Sequence, residues 1–188
     1  MVDQKAKKYE DFKVKIKTCD ACFSKASKVE LFSTGNPESK VMLIAYTPYP
    51  DGGTDPTLRL LGAKLFPLYK ELFSILNLPI DKVWITTCCK CFSGNKIGSA
   101  MQCRKHIMEE IELVNPSLII AVGERVYTLL AGNKTYIPGK EEKFGTRKLV
   151  PIISPETVVR SPQFKNYFLS TAKVASKSIS QPNLDWFS

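Results

Sequence analysis

Four short, uninterrupted apolar stretches divide the chain: Val41-Met42-Leu43-Ile44-Ala45, Val83-Trp84-Ile85-Thr86, Leu118-Ile119-Ile120-Ala121-Val122 and Leu149-Val150-Pro151-Ile152-Ile153. Their hydrophobicity is continuous rather than alternating, which predicts strands of a parallel sheet covered on both faces. Between them the period changes. Over residues 57–76 the apolar positions are Leu58, Leu61, Leu65, Leu68, Leu72, Phe73 and Leu76, the three-to-four spacing of a helix with one buried face. Pro67 marks a kink or a break into two helices. Residues 99–114 read as a helix capped by Ser99 and ended before Asn115-Pro116. Residues 124–130, running into Ala131-Gly132-Asn133, form another, and residues 163–177 a further one with Ser161-Pro162 at its start. This alternation predicts an α/β fold: a single three-layer α/β/α domain with a central four-stranded parallel sheet and right-handed crossovers. It would fill the 188 residues, with a basic segment at 1–17 and a C-terminal arm at 178–188 anchored by Trp186 and Phe187.

In open sheets of this kind ligands bind beyond the carboxyl ends of the strands. That rule selects the stretches 46–51, 87–89, Gly123-Glu124-Arg125 and Ser154-Pro155-Glu156-Thr157, any of which can also be an ordinary connection. Composition narrows the partner. Lys and Arg number 27 against 18 acidic residues, for a formal net charge of +9. Such an excess favours polyanions, nucleic acid first and an acidic membrane surface second. The Lys-rich N-terminus lacks the apolar run of a signal peptide, and no segment approaches the ~18 apolar residues of a membrane span. The expectation is an intracellular, monomeric protein with nucleic acid as its first partner and no membrane association.

Six cysteines in a reducing compartment point to metal binding or catalysis before disulfides. Cys19-Asp20-Ala21-Cys22 is a C-x2-C pair whose tight turn lets two thiolates reach one metal centre. Cys91 and Cys103 supply two more, near a predicted strand end and helix start. Four thiols satisfy either a tetrahedral zinc or a cubane iron-sulfur cluster. Cys88 and Cys89 continue a strand and read as packing residues. His106, one helical turn after Cys103, is an alternative ligand or a solitary surface histidine.

The order of these features resembles the iron-sulfur branch of the uracil-DNA glycosylases, over about residues 18–173. Those proteins carry C-x2-C, a G-N-P segment leading to a strand that ends in G-E-A-P-G, and later I-T-N-x-x-K-C. The counterparts are Cys19-Asp20-Ala21-Cys22, Gly35-Asn36-Pro37, Ala45-Tyr46-Thr47-Pro48-Tyr49 and Ile85-Thr86-Thr87-Cys88-Cys89-Lys90-Cys91. A fourth cysteine opening a helix ahead of P-x-x-I-x-x-x-G is matched by Cys103 and residues 116–123. The closing H-P motif is represented by Ser154-Pro155. The resemblance implies a 4Fe-4S cluster on Cys19, Cys22, Cys91 and Cys103, in preference to zinc, and a hydrolase that flips a base out of DNA and cleaves its N-glycosidic bond.

The departures bear on chemistry. Breaking that bond develops cationic character on the sugar and negative charge on the leaving base, which enzymes meet with a positioned water, an anionic group and donors facing the base. The family's water-orienting acid is replaced by Tyr46 or Thr47, its base-reading Asn by Thr87, and its His by Ser154. A Thr hydroxyl cannot reproduce the two contacts of an amide. The resemblance therefore implies base excision on a modified base rather than plain uracil; the alternative is a catalytically inactive DNA-binding or replication-associated relative. A zinc-stabilised nucleotide-binding module is disfavoured, since no G-x-G-x-x-G or P-loop follows a strand. Asp51 is the nearest surviving carboxylate, a candidate for water activation or cation stabilisation, or a cap of the Asp51-Gly52-Gly53 turn. Asp55 and Glu156 are weaker candidates and read as solvated loop charges. Tyr49 is expected in the base-pocket wall. Residues 156–162 resemble a loop pressed into DNA, with Val158 and Val159 as wedge or core and Arg160 on phosphate or in the vacated stack.

Overall fold

A computed structural model describes residues 2–21, 33–91 and 97–179. In chain order these form α1 (Val2–Lys17), β1 (Ser33–Thr34), β2 (Val41–Ala45), α2 (Pro56–Leu61), α3 (Phe66–Leu76), β3 (Val83–Thr87), α4 (Ile97–Val114), β4 (Leu118–Val122), α5 (Glu124–Ala131), β5 (Glu142–Phe144), β6 (Arg147–Ile152), α6 (Pro155–Arg160) and α7 (Lys165–Ile179). Cys22 and residues 180–188, with Trp186 and Phe187, lie outside the described residues.

The four apolar stretches form the four parallel strands at the centre of the sheet, whose order is β1-β3-β2-β4-β6-β5. Two short antiparallel edges enlarge the expected four-stranded sheet to six: β1 on β3 and β5 on β6. Gly35 makes the first edge possible. It has φ +109°, and a Cβ there would sit 2.1 Å from the Val83 carbonyl oxygen, so only glycine allows this approach. β6 tolerates Pro151 because its pairing with β5 ends at Leu149, leaving fewer ladder bonds for the missing N–H to break.

Successive strand residues point to opposite faces, and the core divides accordingly. Val41, Leu43, Val83, Ile85, Leu118, Ile120, Val150 and Ile152 pack against α2, α3 and α7. Met42, Ile44, Trp84, Ile119, Ala121 and Leu149 pack against α4 and α5. The result is a three-layer α/β/α arrangement. α1, expected only as a basic segment, is a helix that seats Phe12 and Ile16 beside Leu113 of α4.

Three further elements differ from the pattern reading. The 57–76 stretch breaks into α2 and α3 at Gly62, whose φ is +81°, with Pro67 at the start of α3. α4 begins at Ile97, so Ser99 lies inside the helix and does not cap it. Residues 155–160 are helical rather than loop: the Ser154 hydroxyl accepts from the Thr157 backbone N–H, and Pro155 occupies the first turn, a favourable start for a helix.

Candidate functional site

The β2–β3 crossover covers one face of the sheet and the β3–β4 crossover the other, so the chain changes direction at β2. A crevice opens where this happens, beyond the carboxyl ends of β2 and β4. A cleft of about 570 Å3 occupies it. Ala45, Tyr46, Thr47 and Tyr49 follow β2; Val122, Gly123, Glu124 and Arg125 follow β4; Ser154, Glu156, Thr157, Val159 and Arg160 follow β6; Leu65 and Tyr69 close it from the side of α3. The β4 and β6 loops approach so closely that a Cβ on Gly123, at φ +85°, would meet the Ser154 Cβ at 3.0 Å.

Three tyrosines supply apolar wall and polar tips. The Tyr46 hydroxyl, the Thr47 hydroxyl and the fully buried Tyr69 hydroxyl have no hydrogen-bond partner in the protein. Burial without a partner costs free energy, so these groups suit a polar ligand or ordered water. Desolvation raises the pKa of both Tyr46 and Tyr69, which keeps them as neutral donors. The Arg125 guanidinium lies 5.3 Å from the centre of the Tyr46 ring. Tyr49 donates its hydroxyl to Glu156 Oε1, and burial raises the Glu156 carboxyl above its ordinary pKa, with Arg160 pulling in the other direction.

Among the expected site residues, Tyr46, Thr47, Tyr49, Ser154, Val159 and Arg160 converge on this cleft. Others do not. Thr87 is fully buried at the end of β3 and donates its hydroxyl to the Cys89 carbonyl at 2.8 Å, because the strand order puts β3 on the far side of β2. Asp51 is exposed in a 3-10 turn over Pro50–Gly52 and is absent from the cleft wall. Asp55 caps α2, accepting from Thr57 and Leu58 N–H groups at 2.8 and 3.0 Å. Of the two readings given to the valines, wedge or core, Val158 at 5% exposed takes the core one, while Val159 is 56% exposed. Glu156 is not a solvated loop charge.

Sequence reasoning missed Tyr69 and held Glu156 only as a weaker candidate. Tyr69 shares a helical face with Leu65 and Leu72, four residues back and three on, and that spacing is the signal that finds it. Glu156 carries no such signal, because its surroundings depend on Tyr49, distant in the chain.

The cysteine corner lies on the opposite face of the sheet, with α4. Cys88 and Cys89 are buried in its core, as packing residues should be. Cys91 and Cys103 are buried, and Cys19 is half-buried at the end of α1. His106 is no surface residue. It is 2% exposed, its Nε2 lies 3.3 Å from Cys19 Sγ and its Nδ1 has no hydrogen-bond partner. Burial and the nearby Lys105 and Lys15 lower its pKa. Among the described residues, which exclude Cys22, no group of three or more His, Cys, Asp or Glu is placed to hold a metal ion. Beside the corner runs a buried network: Lys90 donates to Glu110 and, at 2.6 Å, to Thr86, while Trp84 donates to Glu110 at 3.0 Å. Among the described residues no helix is long and apolar enough to cross a membrane.

The family model described as the uracil DNA glycosylase superfamily matches residues 32–173, a span that contains the central sheet and every residue lining the cleft.

Proposed function

Since the chain belongs to the uracil DNA glycosylase superfamily, we propose that it is a DNA glycosylase that turns a nucleotide out of the duplex into the cleft and hydrolyses its N-glycosidic bond, acting on a modified base rather than plain uracil. The observation that carries this reading is the convergence of Tyr46, Thr47 and Ser154, from the two motifs that flank the reacting base in this superfamily, on one wall of a cleft with three tyrosines. Stacking faces and unpartnered hydroxyls suit an extruded base with several polar edges. Val159 and Arg160, both exposed beside the cleft, would replace the missing base and meet phosphate.

Plain uracil would find no bidentate amide, since Thr87 lies outside the cleft, and no imidazole donor, since Ser154 stands at the histidine position. In other enzymes one donor to a developing oxyanion contributes roughly 2.7–4 kcal/mol, so uracil excision should be weak or absent. The test is abasic-site formation across duplexes bearing different modified bases. Release from a modified duplex, with little or none from uracil, is the expected outcome, and rapid release of plain uracil would contradict it. The three altered positions also favour a second reading, a non-catalytic DNA-binding relative. Silence on every duplex with DNA binding intact would select it.

The same superfamily resemblance motivates a 4Fe-4S cluster held by Cys19, Cys22, Cys91 and Cys103. What supports it is the donor chemistry: soft thiolates suit iron-sulfur clusters and zinc alike. Cys91 and Cys103 are buried, and Cys19 Sγ lies 3.3 Å from His106 Nε2 on the helix that carries Cys103. A cluster there, on the side of the sheet away from the cleft, would tie α1 to α4 and the end of β3. Protein purified anaerobically should be brown and contain iron and sulfide; stoichiometric zinc without iron would overturn the assignment.

A further inference from the structure

With Tyr46, Thr47 and Ser154 where the superfamily has an acid and a histidine, the cleft must obtain its proton chemistry from another group. Two carboxylates line it among the described residues. Glu124 is exposed and has no fixed partner among the side chains around it. Glu156 is half-buried, fixed by the first turn of α6 and by the Tyr49 hydroxyl on its Oε1. The Tyr49 ring is itself wedged against Gly62, where a Cβ would come within 3.1 Å of the ring. The carboxyl is thus aimed from two sides, with Oε1 taken by Tyr49.

We propose that Glu156 is the acid–base group of this cleft, giving a proton to the departing base as the glycosidic bond breaks and recovering one from the attacking water, with Tyr49 as its positioning residue. The proposal rests on the glycosylase reading above. The step balances. The C1′–N bond breaks with its electron pair on the base nitrogen, and the Oε2 proton passes to the base. A water oxygen then bonds to C1′ and its proton returns to the Glu156 carboxylate, leaving an abasic sugar, a neutral base and the acid regenerated. No stabilised base anion is required, which is why a histidine donor is dispensable here.

A general acid has to hold its proton near the working pH. Desolvation moves Glu156 in that direction, since burial disfavours the charged form. The charged and titratable groups around the cleft are Arg160 on the same helix, Tyr49 and Tyr46 after β2, Tyr69 on α3, and Glu124 and Arg125 on α5. Burial favours protonation of Glu156, while its own backbone N–H and Arg160 oppose it.

The test is single-turnover base release from the duplex that the native chain processes best, measured against pH. Release should fall about tenfold per unit on the alkaline side, and Glu156→Gln should lower it by roughly 10²–10⁴-fold and abolish that limb. Duplex affinity should change little, and the thermal midpoint should shift with pH only as far as the lost carboxyl titration requires, because Gln keeps the shape and can still accept from Tyr49. Tyr49→Phe should retain the limb but displace it. Native rates or an unchanged limb in Glu156→Gln would overturn the proposal alone. So would a loss confined to Asp51→Ala. Native protein that binds duplexes yet releases no base from any of them would overturn the glycosylase reading, and this inference with it.

Discussion

Desolvation holds the Glu156 carboxyl above its ordinary value of 4.5, so the folded chain binds this proton more tightly than the unfolded chain. The contribution to stability has a definite sign. It is fully present below the unfolded value, where both states are protonated, and is lost as pH rises through the folded value. Glu156→Gln removes the titration while keeping the shape. Its thermal midpoint relative to the native chain should therefore rise between pH 4 and pH 8, measured by paired melts in one buffer series. A difference independent of pH would mean that the carboxyl is not desolvated. None of this was legible in the residue itself. Glu156 sits in a Ser-Pro-Glu-Thr run that reads as a polar connection, and its environment is created by Tyr49, a residue 107 positions away. The Lys90–Glu110 pair is hidden for the same reason. Its members are fully buried, and a charge in a sequence advertises solvent until the fold supplies its partner.

The central strands, by contrast, could be read directly, because a parallel strand buried on both faces writes its burial as an unbroken apolar run. All four runs became strands within one or two residues of the expected ends. The break between α2 and α3 was equally visible, since Pro67 tolerates only the first turn of a helix. Elements that fold on little or no apolar surface left no such mark. β1 has two residues and β5 three, Glu142-Lys143-Phe144, and both are edges held by backbone pairing to a stronger neighbour. α6 is six residues long, too short to show a helical period, and its β-branched Thr157-Val158-Val159 run argues for a strand. Its only signals are the Ser154 cap and Pro155 behind it. That short helix separates Val158 from Val159, sending one into the core and the other to the rim of the cleft. A loop reading could not distinguish them.

At the scale of the whole molecule, the position of the cleft follows from strand order more than from any single motif. The reversal at β2 brings the ends of β2, β4 and β6 together and leaves the end of β3 outside, so the motif at Thr87 builds core while those at Tyr46 and Ser154 line the cleft. The sequence showed which residues matched the motifs, but not which motifs would meet. The formal charge of +9 acts over the same distances. If the rim of this cleft meets a DNA backbone, each Lys or Arg that neutralises a phosphate releases condensed counterions, and the logarithm of affinity falls with the logarithm of salt by about 0.9 per duplex contact. Arg160 is exposed at the cleft wall beside Val159, where an extruded nucleotide's phosphate would lie. Arg160→Ala should therefore weaken duplex binding and make the salt slope shallower by about one unit. Lys8→Ala, exposed on α1, the helix that packs against α4 and contributes nothing to the cleft wall, should change affinity less and leave the slope nearly intact. Equilibrium titrations by fluorescence anisotropy over a range of salt measure both quantities. Affinity independent of salt in the native chain would rule out an electrostatic interface, and an equal loss of slope in the two variants would show that the positive charge acts as a diffuse field, not through a contact at the rim.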